Sequence, residues 1–109
     1  MGDFSKQDVL KNKIWKIENQ ELITLLINRK GGKTTMRILD ELLIQPLNKN
    51  ELCKTLELDY KTITYHINII RETNYVEELQ FGHVKFYRPS KKLFKNLESY
   101  YLIKDCLKK

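Results

Sequence analysis

The sequence lacks several features that would assign the chain to particular classes of protein. It contains no run of 18 apolar residues, so a transmembrane helix is excluded. Its first 13 residues include no apolar stretch of the kind found in a signal peptide, so we expect a cytoplasmic protein. Alanine is absent, which is typical of an AT-rich genome and carries no information about chemistry.

Cysteine is also scarce. Cys53 and Cys106 lie far apart in sequence, and neither has a neighbouring cysteine or histidine at the spacing of metal ligands. We therefore expect two reduced thiols, with no metal ion and no cofactor.

The length and charge are those of a small basic domain. The 109 residues fit one domain, and the formal net charge is +6. Lys and Arg outnumber Asp and Glu by seven to four in residues 1–33 and by six to two in residues 90–109, but residues 34–89 carry seven against eight. This excess at the two ends is compatible with nucleic-acid binding without being specific for it.

The spacing of apolar residues predicts a mainly helical chain with a small β-hairpin, an α+β fold. Residues 1–18 are compatible with a helix or with an extended segment. Asn19 is the predicted cap of a helix that runs towards Gly31-Gly32. A second helix is predicted to begin at Thr34 or Thr35 and to end before Pro46.

A helix-turn-helix is predicted next. Asn48, with Glu51 three residues later, opens a short helix. After a tight connection, Asp59 caps a longer helix over residues 60–73, followed by Asn74 in a left-handed conformation.

The apolar period then changes from 3.6 to 2, which predicts a hairpin, or wing, over residues 76–88. A last helix is predicted from Ser90 to residue 107, and its apolar stripe contains Leu93, Leu97, Tyr100 and Leu107. Within one winged helix-turn-helix domain we therefore distinguish an N-terminal helical segment (1–33), a winged-helix core (34–89) and a C-terminal helix (90–109) expected to mediate dimerisation.

Residues 52–76, LCKTLELDYKTITYHINIIRETNYV, resemble the helix-turn-helix of the arsenic-repressor (ArsR) family of regulators. The upstream MRILDELL and the downstream VEELQFGHVKFYRPS resemble a helix and the wing of that family, in its archaeal single-domain form. The resemblance implies a transcriptional regulator that binds double-stranded DNA. The matching residues are Leu52, Cys53, Leu56, Leu58, Ile63, His66, Arg71 and Val76.

One departure from the family concerns its metal site. Metal-sensing members carry two cysteines directly before the Leu-Cys pair, and this chain has Asn48 and Asn50 at those positions. Amide groups do not replace thiolates as ligands for soft metals, so metal sensing at this site is not expected.

The helix over residues 60–73 carries the expected base contacts. Ile63, Ile67 and Ile70 fall on one face and polar residues on the other, which also fits a merely solvated helix. We expect this helix to enter the major groove of DNA. The candidate DNA-binding residues on it are Tyr60, Lys61, Thr62, Thr64, Tyr65 and Asn68.

Further DNA contacts are expected outside that helix. Lys49 and Asn50 lie at a helix start, where free backbone N–H groups favour phosphate. His83, Lys85 and Arg88 lie on the wing and are expected at the DNA backbone or minor groove. The alternatives are an ordinary helix cap and a charged strand edge.

Enzymatic activity is not expected from this sequence. His66 lies at the border of a core face, so a hydrogen-bonded structural role is expected for it. Gly31-Gly32-Lys33-Thr34 does not meet the P-loop pattern, because Ile27 stands where the first glycine is required.

Two functions therefore compete. The first is sequence-specific binding of double-stranded DNA by a cytoplasmic, nucleoid-associated homodimer, with no membrane association and an unknown effector. The second is a winged helix used for protein–protein assembly in the transcription machinery, which the near-neutral middle of the chain favours. Salt-dependent binding to duplex DNA separates the two.

Overall fold

The computed structural model describes residues 19–107, and the expectations for residues 1–18 lie outside this range. The predicted mainly helical fold with a small antiparallel sheet is confirmed. In chain order the elements are α1 (Gln20–Leu26), α2 (Gly32–Ile44), β1 (Leu47–Asn48), α3 (Lys49–Leu56), α4 (Tyr60–Glu72), β2 (Val76–Phe81), β3 (Val84–Pro89), α5 (Lys91–Lys95) and α6 (Leu97–Leu107).

Side-chain caps start the helices where the sequence predicts them. Asn19 accepts a hydrogen bond from the Leu22 amide at the start of α1. Asn48 and Glu51 form a reciprocal capping box on α3. Asp59 accepts a hydrogen bond from the Thr62 amide at the start of α4. Because these bonds are local, they fix three helix starts independently of the rest of the chain.

The connection from α3 to α4 is as short as predicted. Glu57 ends α3 in a left-handed conformation, with φ of 56°, and Asn74 adopts the same conformation after α4, with φ of 64°. Ile63, Ile67 and Ile70 of α4 are fully buried, as the periodicity predicts. The helix-turn-helix therefore presents one face of α4 to the core and the opposite face to the outside.

The start of α2 differs from the prediction. The helix begins at Gly32 rather than at Thr34 or Thr35, and Thr35 is buried inside it. A Cβ on Gly32 would lie 2.0 Å from the carbonyl oxygen of Leu26, so the close approach of α1 leaves room only for glycine there. This glycine pair packs two helices together, in addition to interrupting the helical pattern.

The sheet contains one strand more than predicted. Its order is β1-β3-β2, antiparallel throughout, with Leu47 opposite Tyr87 and Glu78 opposite Tyr87 on the other side. β1 has only two residues, too few for an apolar period to be visible. It joins the start of α3 to the wing and so fixes their relative positions.

The C-terminal segment corrects the prediction of one continuous helix. Asn96 separates α5 from α6, and its side chain donates to the Lys92 carbonyl and accepts from Asn19. The buried residues of this segment are Leu93, Tyr100, Ile103 and Cys106, while Leu97 and Leu107, predicted in the same stripe, are only partly buried.

The Tyr100 hydroxyl ties α6 to α2, because it lies within hydrogen-bond distance of both the Met36 carbonyl oxygen, at 3.2 Å, and the Asp40 carboxylate. The Tyr100 hydroxyl donates to Asp40, with 2.6 Å between the oxygens, and Lys104 forms an ion pair with the same carboxylate at 3.0 Å. Burial, followed by the bond to Asp40, raises the pKa of Tyr100 far above its ordinary value. The C-terminal helices thus share the core of the helix-turn-helix. None of the helices in residues 19–107 has the length and apolar character needed to cross a membrane.

Candidate nucleic-acid interface

The outward face of α4 carries a set of exposed polar and aromatic side chains. Lys61, Tyr65 and Asn68 lie opposite the buried isoleucines, and 60% of the Tyr65 surface is accessible. The Tyr65 ring packs edge-on against His66, with 5.1 Å between ring centroids. A large ring held in place and exposed to water is unusual on a merely solvated helix and suits a face that binds a partner.

The two threonines on α4 are less accessible than this face. Thr62 is half-buried, and its amide is used by the Asp59 cap. The Thr64 hydroxyl is buried without a hydrogen-bond partner, so its side chain must change rotamer to reach a base. The structure therefore brings Lys61, Tyr65 and Asn68 to the surface together, but not the hydroxyl of Thr64.

A cleft of about 410 Å³ lies between the start of α3, the start of α4 and the wing. We call it the wing cleft. Two helix N-termini open next to it, and their free N–H groups favour an anion. The residues that line it are Asn48, Lys49, Asn50, Tyr60, Arg71, Glu78, His83, Val84, Lys85 and Tyr87.

Five of the predicted DNA-binding residues meet in the wing cleft: Lys49, Asn50, Tyr60, His83 and Lys85. The Lys49 ammonium lies 5.4 Å from the centre of the Tyr60 ring, within the range of a cation–π contact. The cation is thereby held over the start of α4, where both the lysine and the helix N-terminus would attract phosphate.

Sequence reasoning missed Glu78 and Tyr87 in the wing cleft and did not propose Arg71 as a contact. Glu78 accepts a hydrogen bond from the Tyr87 hydroxyl at 2.9 Å and pairs with Arg71 at 3.3 Å and Lys85 at 4.0 Å. Burial, followed by the bond to Glu78, raises the pKa of Tyr87 to about 12. A two-residue turn at Gly82-His83 would have predicted this cross-strand register.

Arg88 lies apart from this cleft. It forms an ion pair with Glu77 directly opposite it on β2, at 2.5 Å. Since side chains alternate along a strand, this pair is on the other face of the hairpin from Glu78 and Tyr87. Arg88 is therefore exposed on the outer side of the wing.

His66 has the structural role that the sequence predicts. It is 6% exposed, and its Nδ1 lies 3.3 Å from the hydroxyl of Thr35, which also accepts a hydrogen bond from Arg29. Burial, followed by the charge of Arg29, lowers the pKa of His66. A Cβ on Gly31 would lie 2.5 Å from the imidazole, so this contact also depends on glycine.

Asn48 and Asn50 are the residues that the sequence resemblance aligns with the cysteines of metal-sensing ArsR proteins. The Asn48 side-chain oxygen accepts from the Glu51 amide at 2.7 Å and is thus used by the helix cap. Among residues 19–107, no group of three His, Cys, Asp or Glu side chains is arranged to hold a metal ion.

Comparison with known proteins agrees with this geometry. Residues 32–78, from α2 into the wing, match the family described as "Bacterial regulatory protein, arsR family". The helix-turn-helix lies within this matched segment and is similar to that of the arsR family. This family consists of regulatory proteins and not of enzymes, in agreement with the expectation that the chain has no enzymatic activity. No curated protein matches the chain in sequence.

Solved structures share the fold over most of this chain. An ArsR-like transcriptional regulator from Rhodococcus sp. RHA1 is 18% identical, with a TM-score of 0.58, over 93% of this chain and 85% of that one. A mutant of MepR from S. aureus bound to an oligodeoxyribonucleotide is 14% identical, with a TM-score of 0.58, over 94% and 78%. At these identities the likeness extends to the fold alone.

Proposed function

We propose that the protein binds double-stranded DNA sequence-specifically and regulates transcription. The observation that carries this proposal is the outward face of α4, where Lys61, Tyr65 and Asn68 project from a helix whose opposite face is fully buried. Such a helix fits the major groove, and the arsR-type match of residues 32–78 supports the same role. We call α4 the recognition helix.

The chemistry of this face suits the edges of base pairs. A lysine donates to the O6 and N7 atoms of guanine, and an asparagine pairs with N6 and N7 of adenine. Lys61 is in the first turn of the recognition helix, and Asn68 is two turns further along. Tyr65 lies between them and offers both a ring and a hydroxyl. We infer that these three residues read sequence.

The wing cleft is proposed to hold the DNA backbone. Lys49 and Lys85 supply positive charge from two sides, and the start of α3 supplies backbone N–H groups beside Asn50. His83, at the turn of the hairpin, extends the same side of the cleft. Contacts of this kind position the protein on the duplex without reading its sequence.

We further propose that the protein acts as a homodimer in the cytoplasm, associated with the nucleoid. Phe94 and Tyr101 are 55% and 48% exposed, and Leu97 between them is only partly buried. Leu97 and Tyr101, four residues apart, lie on one side of α6, and Phe94 lies on α5, before the break at Asn96. We call these three residues the C-terminal strip. Kinship with archaeal single-domain regulators stays a prediction.

The proposal is tested with a pool of 30-base-pair duplexes from which the purified protein selects its sites. We expect affinity for a selected duplex to fall by at least about 30-fold in Lys61→Ala combined with Tyr65→Ala, because each good base contact contributes ~1–3 kcal/mol. The matched control is Lys95→Ala combined with Ile44→Ala, which removes an exposed lysine and a large exposed side chain elsewhere. The control should bind like the wild type.

Salt dependence separates this function from its rival. Affinity for duplex DNA should fall steeply as salt is raised, and Lys49→Ala should make that dependence shallower by about one counterion. Absence of salt-dependent binding to any duplex in the pool would instead favour a winged helix used for protein–protein assembly.

A further inference from the structure

The tip of the wing carries exposed apolar side chains. Phe81 and Val84 are the last cross-strand pair of the hairpin, and they are 66% and 43% exposed. β1 pairs with β3 only at Phe86 and Tyr87. The last two cross-strand pairs of the hairpin, Gln80–Lys85 and Phe81–Val84, therefore extend beyond β1. The two-residue turn at Gly82-His83 is too short to fold back over these side chains.

The Phe81 ring is supported from below. It packs edge-on against Phe86, with 5.9 Å between ring centroids and 71° between ring planes. Leu79 lies opposite Phe86 on the same face of the hairpin and is half-buried. The Leu79–Phe86 pair thus forms an apolar base that supports the Phe81 ring and keeps it exposed at the tip of the hairpin.

The surroundings of the ring favour an anionic partner. Residues 79–86 contain no carboxylate, and His83 lies in the turn directly beside the Phe81–Val84 pair, while Lys85 is on the opposite face of the hairpin, towards the wing cleft. Val84, His83 and Lys85 also line the wing cleft, so the tip is continuous with the surface proposed to hold the DNA backbone. An exposed apolar side chain at a tip without carboxylates, next to a surface that holds a duplex, suits insertion between base pairs.

We propose that Phe81 is a wedge that enters the minor groove, partly unstacks one base step and bends the duplex. This rests on the proposed function, since the recognition helix must occupy the adjacent major groove for the wing tip to reach the minor groove. The base step that Phe81 enters is a flexible pyrimidine–purine step, because such steps unstack at the lowest cost in free energy. Phe81 therefore contributes specificity through DNA shape at a position where no hydrogen bond reads a base.

The experiment measures bending of a selected 30-base-pair duplex labelled at its ends with a fluorescent donor and acceptor. Wild-type protein should bend it by at least about 20°. Phe81→Ser should leave it straight and lower affinity about tenfold, because removing a ring that stacks on a base costs ~1.4 kcal/mol. Phe81→Leu should keep the bend. Ile44→Ser, at an exposed position outside the wing, should behave like the wild type.

Thermal unfolding tests whether each variant keeps its fold. If serine at position 81 disturbs the hairpin, Phe81→Leu still tests the wedge, because leucine keeps an apolar side chain at the tip. A wild-type complex that binds but stays straight would overturn the wedge and leave the proposed function standing. Absence of salt-dependent binding to any duplex would overturn both. If Phe81→Ser leaves the bend intact but changes the sedimentation of the free protein, the tip contacts a second copy and the wedge is wrong.

Discussion

The Glu78 carboxylate on β2 accepts a hydrogen bond at 2.9 Å from the hydroxyl of Tyr87, its cross-strand partner on β3. This pair puts a negative charge inside the wing cleft, where Arg71 and Lys85 lie within 4.0 Å of the same carboxylate. A phosphate entering the cleft must compete with Glu78 for both cations. Glu78 therefore competes, inside the wing cleft, with any anion that binds there.

Removing that charge should strengthen DNA binding. We expect Glu78→Gln to raise affinity for a duplex about two- to fivefold, since partly exposed charge pairs contribute up to ~1 kcal/mol. Fluorescence anisotropy at two salt concentrations measures the change, which should be smaller at high salt. Glu77→Gln, on the opposite face of the hairpin, is the matched control. Weaker binding by Glu78→Gln would mean that the carboxylate organises the cleft for DNA.

The parts of the fold that the sequence predicted are those determined locally. The caps at Asn19, Asn48 and Asp59 each involve residues three positions apart, and the isoleucine stripe of α4 follows from helical period alone. The change of period after Asn74 likewise predicted the hairpin to within one residue at the end of each strand. No contact with a distant segment was needed for any of them.

The parts that were missed depend on distant segments. Gly32 starts α2 because the Leu26 carbonyl approaches it, and Asn96 breaks the last helix while bonding to Asn19. The outward face of α4 was predictable from its period. The wing cleft was not, because it requires the position of α3 relative to the hairpin, which β1 sets through its pairing with β3. Periodicity contains no information about such contacts.

The Asn48 cap gives a prediction about stability. Asn48→Ala removes the acceptor of the Glu51 amide and should lower the free energy of unfolding by about 1 kcal/mol, or about 5 °C in the midpoint. The control is Asn50→Ala, inside the first turn of α3, where alanine is the better helix former. Equal effects of the two substitutions, measured by thermal unfolding, would contradict the capping role.

His66 gives a prediction about pH. Its pKa is lowered in the folded protein by burial and by Arg29, so the unfolded chain takes up the proton first as the pH falls. The stability contributed by neutral His66 is therefore complete above the ordinary histidine value of about 6.5 and decreases below it until the folded-state pKa is reached. Urea unfolding between pH 5 and 8 measures this decrease.

The matched comparison uses the two histidines of the chain. His66→Gln should flatten the pH dependence of the unfolding free energy below pH 6.5, although it lowers stability at every pH by disturbing the contact with Thr35. His83→Gln, at an exposed position, should keep the wild-type dependence. A wild-type slope retained by His66→Gln would show that other groups, such as the carboxylates, determine the pH response.

Assembly gives the last prediction. A chain that ends at Ser90 does not test dimerisation, because it lacks Leu93, Tyr100 and Ile103, which are buried in the protein's own core. Surface substitutions in the C-terminal strip avoid this. Phe94→Ser combined with Tyr101→Ser removes the two most exposed rings of α5 and α6 while the core side of both helices stays intact.

We expect sedimentation of the full chain at micromolar concentration to give a homodimer, and the double variant to give a folded monomer with weakened binding to a selected duplex. The reason is geometric: a two-fold axis at the C-terminal strip would present two recognition helices to successive major grooves, about 34 Å apart, and a monomer loses one of them. Ile44→Ser removes an exposed apolar residue from another surface and should stay dimeric. If the wild-type protein is a monomer, the proposed homodimer is wrong. If the double variant still dimerises, the dimer interface lies outside the C-terminal strip.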